Sequence, residues 1–329
     1  MKFLVIGLGS MGKRRIRCLK ALGEKDIIGF DIRKDRCEEI EKEYGIKTFS
    51  DFQQAQQENP DVFIISVPSN LHHFYAMKAH KNKKHFFTES NFLPEGMDDL
   101  IKIEEEGKIV ACPSFTMVHH PMIKLMKRFI EEKKIGKICF FTYHLAAYLP
   151  HWHPWEDYRK VYYSKKETPG TEEMVAFELT WIVSLLGDVK RVKSFAGKLS
   201  DLEIDFEDVY QIILEFENGI LGHMLIEIAS QPSRREMKIG GEKGTIMWHS
   251  EEGYLKLFDA EKQKWQEYEE KGGIFQPGYS VKIHEEMYIE EIDDFLKAVK
   301  GEKKYPYSFK DEKKIIEILL EIEKNAKGG

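Results

Sequence analysis

Three glycines near the start of the chain place the tightest constraint on its fold. Gly7, Gly9 and Gly12 form a G-x-G-x-x-G pattern directly after an apolar run that ends at Ile6, and an amphipathic segment follows. Such a turn between a strand and a helix presents backbone N–H groups and the positive end of a helix dipole to a diphosphate. The alternative is a turn that only joins strand to helix. We predict dinucleotide binding by Gly7, Leu8, Gly9, Ser10, Met11 and Gly12.

An acidic residue indicates which dinucleotide is preferred. Asp31 ends the second predicted strand, nineteen positions after the last glycine of the turn, where a carboxylate can accept both hydroxyls of the adenine ribose. A 2′-phosphate would meet like charge there, so NAD is favoured over NADP. Arg33, Lys34 or Arg36 could turn toward such a phosphate and weaken that preference. Ile32 and Arg33 complete this part of the predicted cofactor site.

The first third of the chain alternates short apolar runs with amphipathic segments, which is typical of β-α-β units on a parallel sheet. Helices are predicted at Met11–Leu22 and Asp35–Tyr44, each followed by a glycine. Strands are predicted at Lys2–Ile6, Asp26–Phe30, Asp61–Ser66, His85–Thr88 and Ile109–Ala111. We expect residues 1–118 to form a doubly wound Rossmann domain.

The pattern changes after Pro121, where residues 119–329 are expected to form a second domain. Apolar and polar residues alternate from Tyr210 to Glu217, as in a half-exposed antiparallel strand, and Asn218-Gly219 then predicts a tight hairpin. Helices are predicted at Met122–Glu132, Glu172–Leu186, Glu286–Val299 and Phe309–Asn325.

Composition excludes several classes of protein. The 329 residues are 42% hydrophobic and 32% charged, which suits two globular domains. The net charge is −6 and no basic segment would attract nucleic acid or anionic lipid. No apolar run is long enough to span a bilayer. The four cysteines lack C-x-x-C spacing, so we expect free thiols in a reducing cytoplasm.

Several segments resemble the motifs of one oxidoreductase family, that of glucose-fructose oxidoreductase, inositol dehydrogenase and MocA (Gfo/Idh/MocA). The opening Ile6–Arg15 resembles its first motif, and Ser66–His72 is similar to its second, a strand end and loop along the cofactor. Thr88–Asn91 stands at the place of its third, normally Glu-Lys-Pro. Tyr148–Arg159 resembles a segment of one branch, and the resemblance extends across essentially the whole chain.

The resemblance implies a fold, an assembly and further cofactor contacts. It implies an α/β protein with a Rossmann domain followed by an α/β domain on a large, mostly antiparallel sheet. Substrates of such proteins bind between the domains, and the sheet supports a homo-oligomer, either a dimer or a tetramer. Glu89 is expected near the nicotinamide ribose. The residues carried over as cofactor neighbours are Ser66, Val67, Pro68, Asn70, His72 and Glu89.

Four positions depart from the family pattern. Members typically carry a lysine that contacts the substrate hydroxyl where this chain has Ser90, and a proline where it has Asn91. They also carry an Asp and a His on a helix of the second domain, and these positions fall on Met174 and Phe177. All three usual acid–base groups are therefore missing. Other residues must hold the reacting hydroxyl and move its proton.

The predicted helix from Glu172 offers carboxylates for this task. Glu178 falls on its apolar face, between Met174 and Trp181. Burial without a cationic partner would raise the pKa of Glu178 into the range useful for proton transfer. The alternative is a structural glutamate bonded to an arginine or to backbone N–H groups. Glu173 lies in the first turn, where the helix dipole favours acids, so capping explains it as well as catalysis does.

The aromatic segment from Tyr148 to Tyr163 offers a surface for a sugar ring, although a half-buried core uses the same residues. His153 could donate a hydrogen bond to the substrate. Lys165 could supply the missing cation or remain solvated. His151 and His153 have a ligand-like spacing, but no third ligand is spaced near them, so we expect no metal site.

Together these features predict an NAD-dependent oxidoreductase acting on a secondary hydroxyl or carbonyl of a sugar-like or cyclitol substrate. Glu178 or Glu173 would move the proton, and His153 or Lys165 would donate a hydrogen bond. Two alternatives stay open. One is a dinucleotide-binding sensor or assembly partner without turnover, and the other is a cofactor-retaining epimerase or lyase.

Overall fold

The described part of the chain, residues 1–90, 93–274 and 283–327 of a computed structural model, divides into two units. The first comprises Met1–Thr116 and Glu285–Lys314, and the second comprises the described residues of Met117–His284 and Ile315–Gly329. A single division into 1–118 and 119–329, as the sequence predicts, gives the segment Glu285–Lys314 to the second domain. The structure instead returns this segment to the first unit.

The first unit contains a parallel sheet of six strands in the order β3-β2-β1-β4-β5-β6. Its strands are β1 Phe3–Ile6, β2 Ile27–Phe30, β3 Lys47–Phe49, β4 Val62–Ile65, β5 His85–Thr88 and β6 Ala111–Pro113. All residues of β1, β2 and β4 are buried, as expected for strands covered on both faces. The direction in which successive strands are added reverses between β1 and β4. In open α/β sheets, ligands bind at the carboxyl ends of the strands beside such a reversal.

Five helices connect these strands in the described residues of the first unit. They are α1 Ser10–Ala21, α2 Lys34–Tyr44, α3 Phe52–Gln57, α4 His72–Lys81 and α5 Met97–Glu106. Gly45 ends α2 in a left-handed conformation, as the sequence predicts for a helix followed by glycine. The doubly wound Rossmann fold predicted from the sequence is confirmed.

The second unit is built on a mixed sheet in the order β10-β11-β12-β7-β13-β14-β15-β16. One pair, β12 with β7, is parallel, and the other pairs are antiparallel. The strands of this sheet are β7 Ile138–Ala146, β10 Val189–Gly197, β11 Val209–Phe216, β12 Leu221–Glu227, β13 Arg234–Gly241, β14 Gly244–His249, β15 Tyr254–Asp259 and β16 Lys264–Glu269. A separate hairpin pairs β8 Ser164–Lys165 with β9 Thr168–Pro169.

Two helices and one hairpin of the second unit follow the sequence prediction closely. The helices are α6 Pro121–Glu131 and α7 Gly170–Leu186. The predicted hairpin at Asn218-Gly219 joins β11 to β12, with Gly219 at a φ of +85° that favours glycine. The side chains predicted to face inward on β11 are all buried: Tyr210, Ile212, Leu214 and Phe216.

The return of the chain to the first unit has an electrostatic reason. The returning helix α8, Glu285–Val299, packs against α1. Glu285 pairs with Arg14 at 2.7 Å, and Glu291 pairs with Arg15 at 2.7 Å, each pair being buried. Charged side chains are stable in the interior only when they are paired, so α1 requires α8.

The last helix, α9 Phe309–Lys327, follows α8. Its first residue donates a backbone N–H to Glu104 at 3.0 Å within the first unit. Among the described residues, no helix has the combined length and apolar character that crossing a membrane demands.

Candidate functional site

The turn between β1 and α1 has no room for a Cβ at Gly7 or Gly12. A Cβ on Gly12 would lie 1.8 Å from the carbonyl oxygen of Gly7, and a Cβ on Gly7 would lie 2.5 Å from that of Ser66. Gly7 also has a φ of +88°, which favours glycine. Gly9 precedes α1 without a capping side chain, and the first turn of α1 carries no acid. This is the backbone geometry that binds a diphosphate at a helix N-terminus, so the turn fits a dinucleotide.

Asp31 lies beside this turn with its carboxylate fixed. Its Oδ2 accepts the backbone N–H of Leu8 at 2.8 Å, and its Oδ1 accepts that of Arg33 at 2.9 Å. The side chain is buried. The same carboxylate therefore orders the glycine turn and lies beside it, which leaves Asp31 as the predicted contact of the adenine ribose.

Two arginines lie near Asp31, and they make different contacts. Arg36 lies over the turn, because its Nη1 is 3.3 Å from the position of a Cβ on Gly9 and 3.6 Å from Oδ2 of Asp31. Arg33 instead pairs with the exposed Asp35 at 2.5 Å. Of these two arginines, Arg36 is therefore the one that lies at the glycine turn.

The loop after β4 carries the second group of predicted cofactor residues. His72 is buried, and its Nε2 lies 2.8 Å from the carbonyl oxygen of Val67, so the ring holds the loop that contains Pro68. Asn70 is exposed in the short 3-10 turn that precedes α4. Ser66 directly follows β4 and is half-buried.

Glu89 directly follows β5 and is held by two neighbours. Its carboxylate accepts two hydrogen bonds from Arg15, of 2.7 and 2.6 Å, and one from Ser66 Oγ of 3.0 Å. Ser90 follows it where the family has its lysine, and Asn91 lies outside the described residues. Because β1, β4 and β5 are neighbours, their carboxyl ends bring the glycine turn, Ser66 and Glu89 together.

Glu178, the first predicted proton carrier, lies in a saturated buried cluster of the second unit. Its Oε1 accepts a hydrogen bond from Arg235 Nη2, and its Oε2 accepts one each from Tyr143 Oη and Trp181 Nε1, all of 2.6 Å. A cationic partner, Arg235, is therefore present beside Glu178. These contacts match the structural alternative considered from the sequence.

Glu173, the second predicted carrier, lies at the start of α7 against the aromatic segment. Tyr162 Oη donates to Glu173 Oε1 at 3.3 Å, and Tyr163 Oη lies 3.3 Å from Nδ1 of His153. The backbone N–H of Gly170 donates to the Tyr163 carbonyl at 2.9 Å, which ties the segment to the helix. Burial raises the pKa of Tyr163, so its hydroxyl stays protonated.

The aromatic residues divide into a core set and an exposed set. Trp152 and Tyr158 pack against a buried cluster, which comprises Leu149, Tyr163, Phe206 and Ile228. Trp155 is 54% exposed and Tyr162 is 38% exposed. The Trp155 ring stacks on that of His153, with centroids 5.1 Å apart and planes 22° apart. Part of the segment is therefore half-buried core, and the exposed rings remain the predicted surface for a sugar ring.

Lys165 lies apart from these contacts. It is exposed on β8, and its Nζ donates to the carbonyl oxygen of Arg159 at 3.1 Å. Its neighbours line an open, charged depression that includes Arg159 and Glu203. The rings of His151 and Tyr148 have centroids 5.0 Å apart.

A buried His–Glu–His cluster was not singled out in the sequence. Oε1 of Glu270 lies 3.2 Å from Nε2 of His120 and 2.7 Å from Nε2 of His284. Nδ1 of His120 accepts the Met122 N–H at 3.2 Å, so the ring proton of neutral His120 is on Nε2 and points at Glu270. A metal ligand would need that nitrogen unprotonated. One ligand atom from each of His120, Glu270 and His284 lies within 4.8 Å of the others, which is a spacing that a metal ion could use if His120 gave up that proton.

A second cluster gathers three acids at the start of α7. One carboxylate oxygen each from Glu172, Glu207 and Glu323 lie within 4.8 Å of one another. Burial, reinforced by the charge of Glu323, raises the pKa of Glu172 to about 7. The Lys327 ammonium lies 2.8 Å from Glu323 and supplies the counter-charge. Glu172 and Glu173 are thus adjacent in sequence but contact different groups.

The glycine turn, the carboxylate beside it and the strand order define a dinucleotide-binding protein of the Rossmann class with a second α/β domain. A family model described as "Oxidoreductase family, NAD-binding Rossmann fold" matches residues 1–124. A second, described as "GFO/IDH/MocA C-terminal domain", matches residues 123–247. The chain belongs to the Gfo/Idh/MocA family of NAD-binding oxidoreductases.

Solved structures share this fold at low sequence identity. Levoglucosan dehydrogenase in complex with NADH has a TM-score of 0.84 and 18% identity. An oxidoreductase from Agrobacterium radiobacter in complex with NAD+, L-tartaric acid and magnesium has a TM-score of 0.87 and 15% identity. The WlbA dehydrogenase from Bordetella pertussis, in complex with NADH and UDP-GlcNAcA, has a TM-score of 0.78 and 18% identity. In each case the match covers 100% of this chain and 97% of the other. None of the curated proteins matches the chain.

Proposed function

We propose that this oxidoreductase transfers a hydride between NAD(H) and a secondary hydroxyl or carbonyl of a sugar-like or cyclitol substrate. One observation carries the proposal most strongly. The first unit offers a glycine turn without room for a Cβ at Gly7 or Gly12, with a fixed carboxylate beside it. The second unit offers an acid at the start of α7, and the preceding segment that contacts it carries phenols, an imidazole and exposed aromatic rings.

In the proposed cofactor site, the turn from Gly7 to Gly12 binds the diphosphate and Asp31 binds the adenine ribose. Ser66, the loop held by His72, and Glu89 line the nicotinamide end. When bound, NAD accepts a hydride at its nicotinamide ring, or NADH donates one. NAD is preferred to NADP because a 2′-phosphate would meet the Asp31 carboxylate.

The proton of the reacting hydroxyl must move through a side chain that is free to change its protonation state. His72 and Glu89 are held by a carbonyl and by Arg15, and Glu178 is saturated by three donors. We assign the proton transfer to Glu173 because it lies beside the exposed aromatic rings proposed to bind the substrate, with Tyr162 as the group that orients it. His153 donates a hydrogen bond to the substrate. Lys165, whose ammonium binds the Arg159 carbonyl, receives no role.

The substrate class rests on the exposed aromatic rings. The stacked pair of Trp155 and His153 presents an apolar face beside polar groups, which is a surface that sugar rings favour. Relatives in fold were solved with sugar ligands, as levoglucosan dehydrogenase was with levoglucosan and with L-sorbose. These likenesses support a polyhydroxylated substrate.

The experiment is a panel of sugars, anhydrosugars and cyclitols assayed by NADH absorbance. Once a substrate is found, Glu173→Gln is expected to lower kcat about 10²-fold or more, because a general acid–base group is lost. Glu172→Gln is the matched control, since it removes the neighbouring carboxylate, whose contacts lie in the other acid cluster. If both variants turn over like the wild type, Glu173 is not the proton carrier.

A second candidate is a dinucleotide-binding sensor or assembly partner, and it is favoured by Ser90 at the lysine position. It predicts tight NADH binding with no net turnover on any member of the panel. A cofactor-retaining epimerase or lyase would convert substrate without net NADH formation. Chromatography of the reaction mixtures distinguishes these outcomes.

We also propose that the exposed face of the large sheet forms a homo-oligomer in the cytoplasm. Four neighbouring strands expose apolar side chains there, from Phe195 on β10, Ile213 on β11, Leu221 on β12 and Phe140 on β7. The four cysteines are free, as the cytoplasm favours. Sedimentation should show a dimer or tetramer that Ile213→Lys dissociates and that Leu320→Lys, at an exposed position of α9, does not. A monomeric wild type would exclude the assembly.

A further inference from the structure

Arg15, on α1, is fully buried although it is charged. Its guanidinium lies 4.7 Å from the centroid of the Phe87 ring and 5.3 Å from that of Tyr288. An arginine in such surroundings must bind acceptors through its N–H groups to stay in the interior. Those acceptors are two carboxylates, one at the end of β5 and one on α8, together with Ser114 Oγ at 3.5 Å from Nη2.

The first carboxylate is that of Glu89, which Arg15 binds in a bidentate manner. Nε donates to Oε1 at 2.7 Å and Nη2 donates to Oε2 at 2.6 Å. Ser66 Oγ adds a third hydrogen bond to Oε1, of 3.0 Å. Two parallel bonds from a planar guanidinium fix the plane of a carboxylate as well as its position. Glu89 is therefore oriented by Arg15.

The second carboxylate, Glu291, anchors Arg15 from the other side. Nη1 of Arg15 donates to its Oε2 at 2.7 Å. Glu291 also accepts hydrogen bonds from Ser114 Oγ, the Phe115 backbone N–H and Thr116 Oγ1. These residues follow β6, so Glu291 cannot shift without disturbing the sheet end. Glu291 thus fixes the position of Arg15, and Arg15 in turn fixes Glu89.

We propose that Arg15 is a positioning residue of the cofactor site, which acts by fixing the Glu89 carboxylate in one orientation toward the nicotinamide end. The inference rests on the proposed function, because Glu89 is assigned to that end there. With serine at the lysine position of the third motif, Arg15 is the cation that contacts Glu89. A lysine at position 15 has one ammonium, which cannot bind both oxygens of Glu89 in parallel and also reach Glu291.

The test measures NADH affinity by fluorescence titration of the full-length protein without any substrate. Arg15→Lys is expected to raise the Kd for NADH about tenfold, the scale typical of losing the partner that orients a binding group. Arg17→Lys is the matched control. Arg17 lies on the same helix and pairs with Glu285 of α8 at 3.0 Å, while its other contact is Tyr44. The control is expected to change the Kd by less than about twofold.

A double variant separates positioning from general destabilisation. Glu89→Gln alone is expected to weaken NADH binding, and adding Arg15→Lys to it should weaken binding by less than a further twofold or so, because both act through one carboxylate. Multiplicative effects would overturn the proposal. So would an Arg15→Lys protein that melts at a lower temperature but binds NADH as the wild type does.

Glu291→Gln keeps the test decisive if Arg15→Lys does not fold. The amide preserves the shape of the side chain but removes the charge that anchors Nη1, so NADH affinity should fall while Glu89 itself is intact. An unchanged Kd would overturn the proposal. Absence of turnover with every substrate would count against the proposed function alone, whereas a wild-type protein that binds no NADH would refute both.

Discussion

Arg235 donates a hydrogen bond of 2.6 Å from its Nη2 to Oε1 of the buried Glu178. The two residues lie 57 positions apart in the chain, on β13 and α7. The helical pattern points this carboxylate inward, and the pair gives it a buried cationic partner. In the proposed mechanism Glu178 therefore has a structural role, and Glu173 carries the proton.

Removing the Glu178 charge should therefore lower stability rather than the catalytic rate. Glu178→Leu leaves Arg235 without its carboxylate, and we expect the free energy of unfolding to fall by about 3 kcal/mol or more in urea titrations. Tyr143→Phe, which removes one hydrogen bond to the same carboxylate, should cost about 1 kcal/mol. A folded Glu178→Leu variant should keep a kcat close to that of the wild type. A large loss of kcat at unchanged stability would contradict this assignment.

The first unit should require its returning segment. A fragment of residues 1–118 lacks Glu285 and Glu291, so Arg14 and Arg15 would have to remain buried without those carboxylates. We expect this fragment to show no cooperative thermal transition by circular dichroism and no NADH binding. Joining residues 285–314 to it through a flexible linker should restore both. A fragment 1–118 that folds alone would show that the ion pairs are dispensable.

Cofactor preference should respond to Asp31 and Arg36 in opposite ways. Asp31→Asn keeps the side-chain size but removes the charge beside the glycine turn, so NADH binding should weaken about tenfold while NADPH binding improves. Arg36→Met removes the cation that lies over Gly9, so NADPH binding should weaken more than NADH binding. Parallel fluorescence titrations measure both ratios. Equal changes for the two cofactors would mean that the 2′-position of the adenine ribose does not lie beside Asp31 and Arg36.

Stability should depend on pH through Glu172. Its pKa is raised in the folded protein from 4.5 to about 7, so the folded state favours the protonated form. The contribution of protonated Glu172 to the free energy of unfolding is complete below about pH 4.5 and is lost as the pH rises through about 7. Glu172→Gln, which mimics the protonated side chain, should therefore be more stable than the wild type at pH 8, on the order of 2 kcal/mol after solvent screening.

Unfolding curves of Glu172→Gln and of the wild type, each recorded at pH 5 and at pH 8, test this prediction. The difference between Glu172→Gln and the wild type should be small at the lower pH and larger at the higher one. Glu207→Gln should give a weaker effect with the same sign, because its charge contributes to the raised pKa of Glu172. A pH-independent difference would mean that Glu172 is ionised in the folded state throughout.

The sequence predicts helices and strands well where the hydrophobic pattern of neighbouring residues is clear. The helix predicted at Met122–Glu132 is observed at Pro121–Glu131, and the strand predicted at His85–Thr88 is observed at the same residues. The strand Lys47–Phe49 was not predicted, because it has three residues and none is buried. Short, half-exposed edge strands carry too little hydrophobic pattern to be recognised.

The candidate site could be predicted only in part. Gly7 to Gly12 and Asp31 lie within one β-α-β unit, so spacing along the chain brings them together. The partners of Glu178 and Glu173 come from distant strands and loops. Helical periodicity predicts that Glu178 points inward, but it does not reveal whether an arginine meets it there.

The sequence alone determined the Rossmann half, the dinucleotide turn and the directions in which side chains face, because steric limits on the backbone and the period of a helix or strand act between close neighbours. The tertiary structure decided which charges meet. Arg15 with Glu89 and Glu291, and Arg235 with Glu178, are pairs that form only when distant segments pack. Burial makes such pairing compulsory without specifying in advance which carboxylate will be the partner.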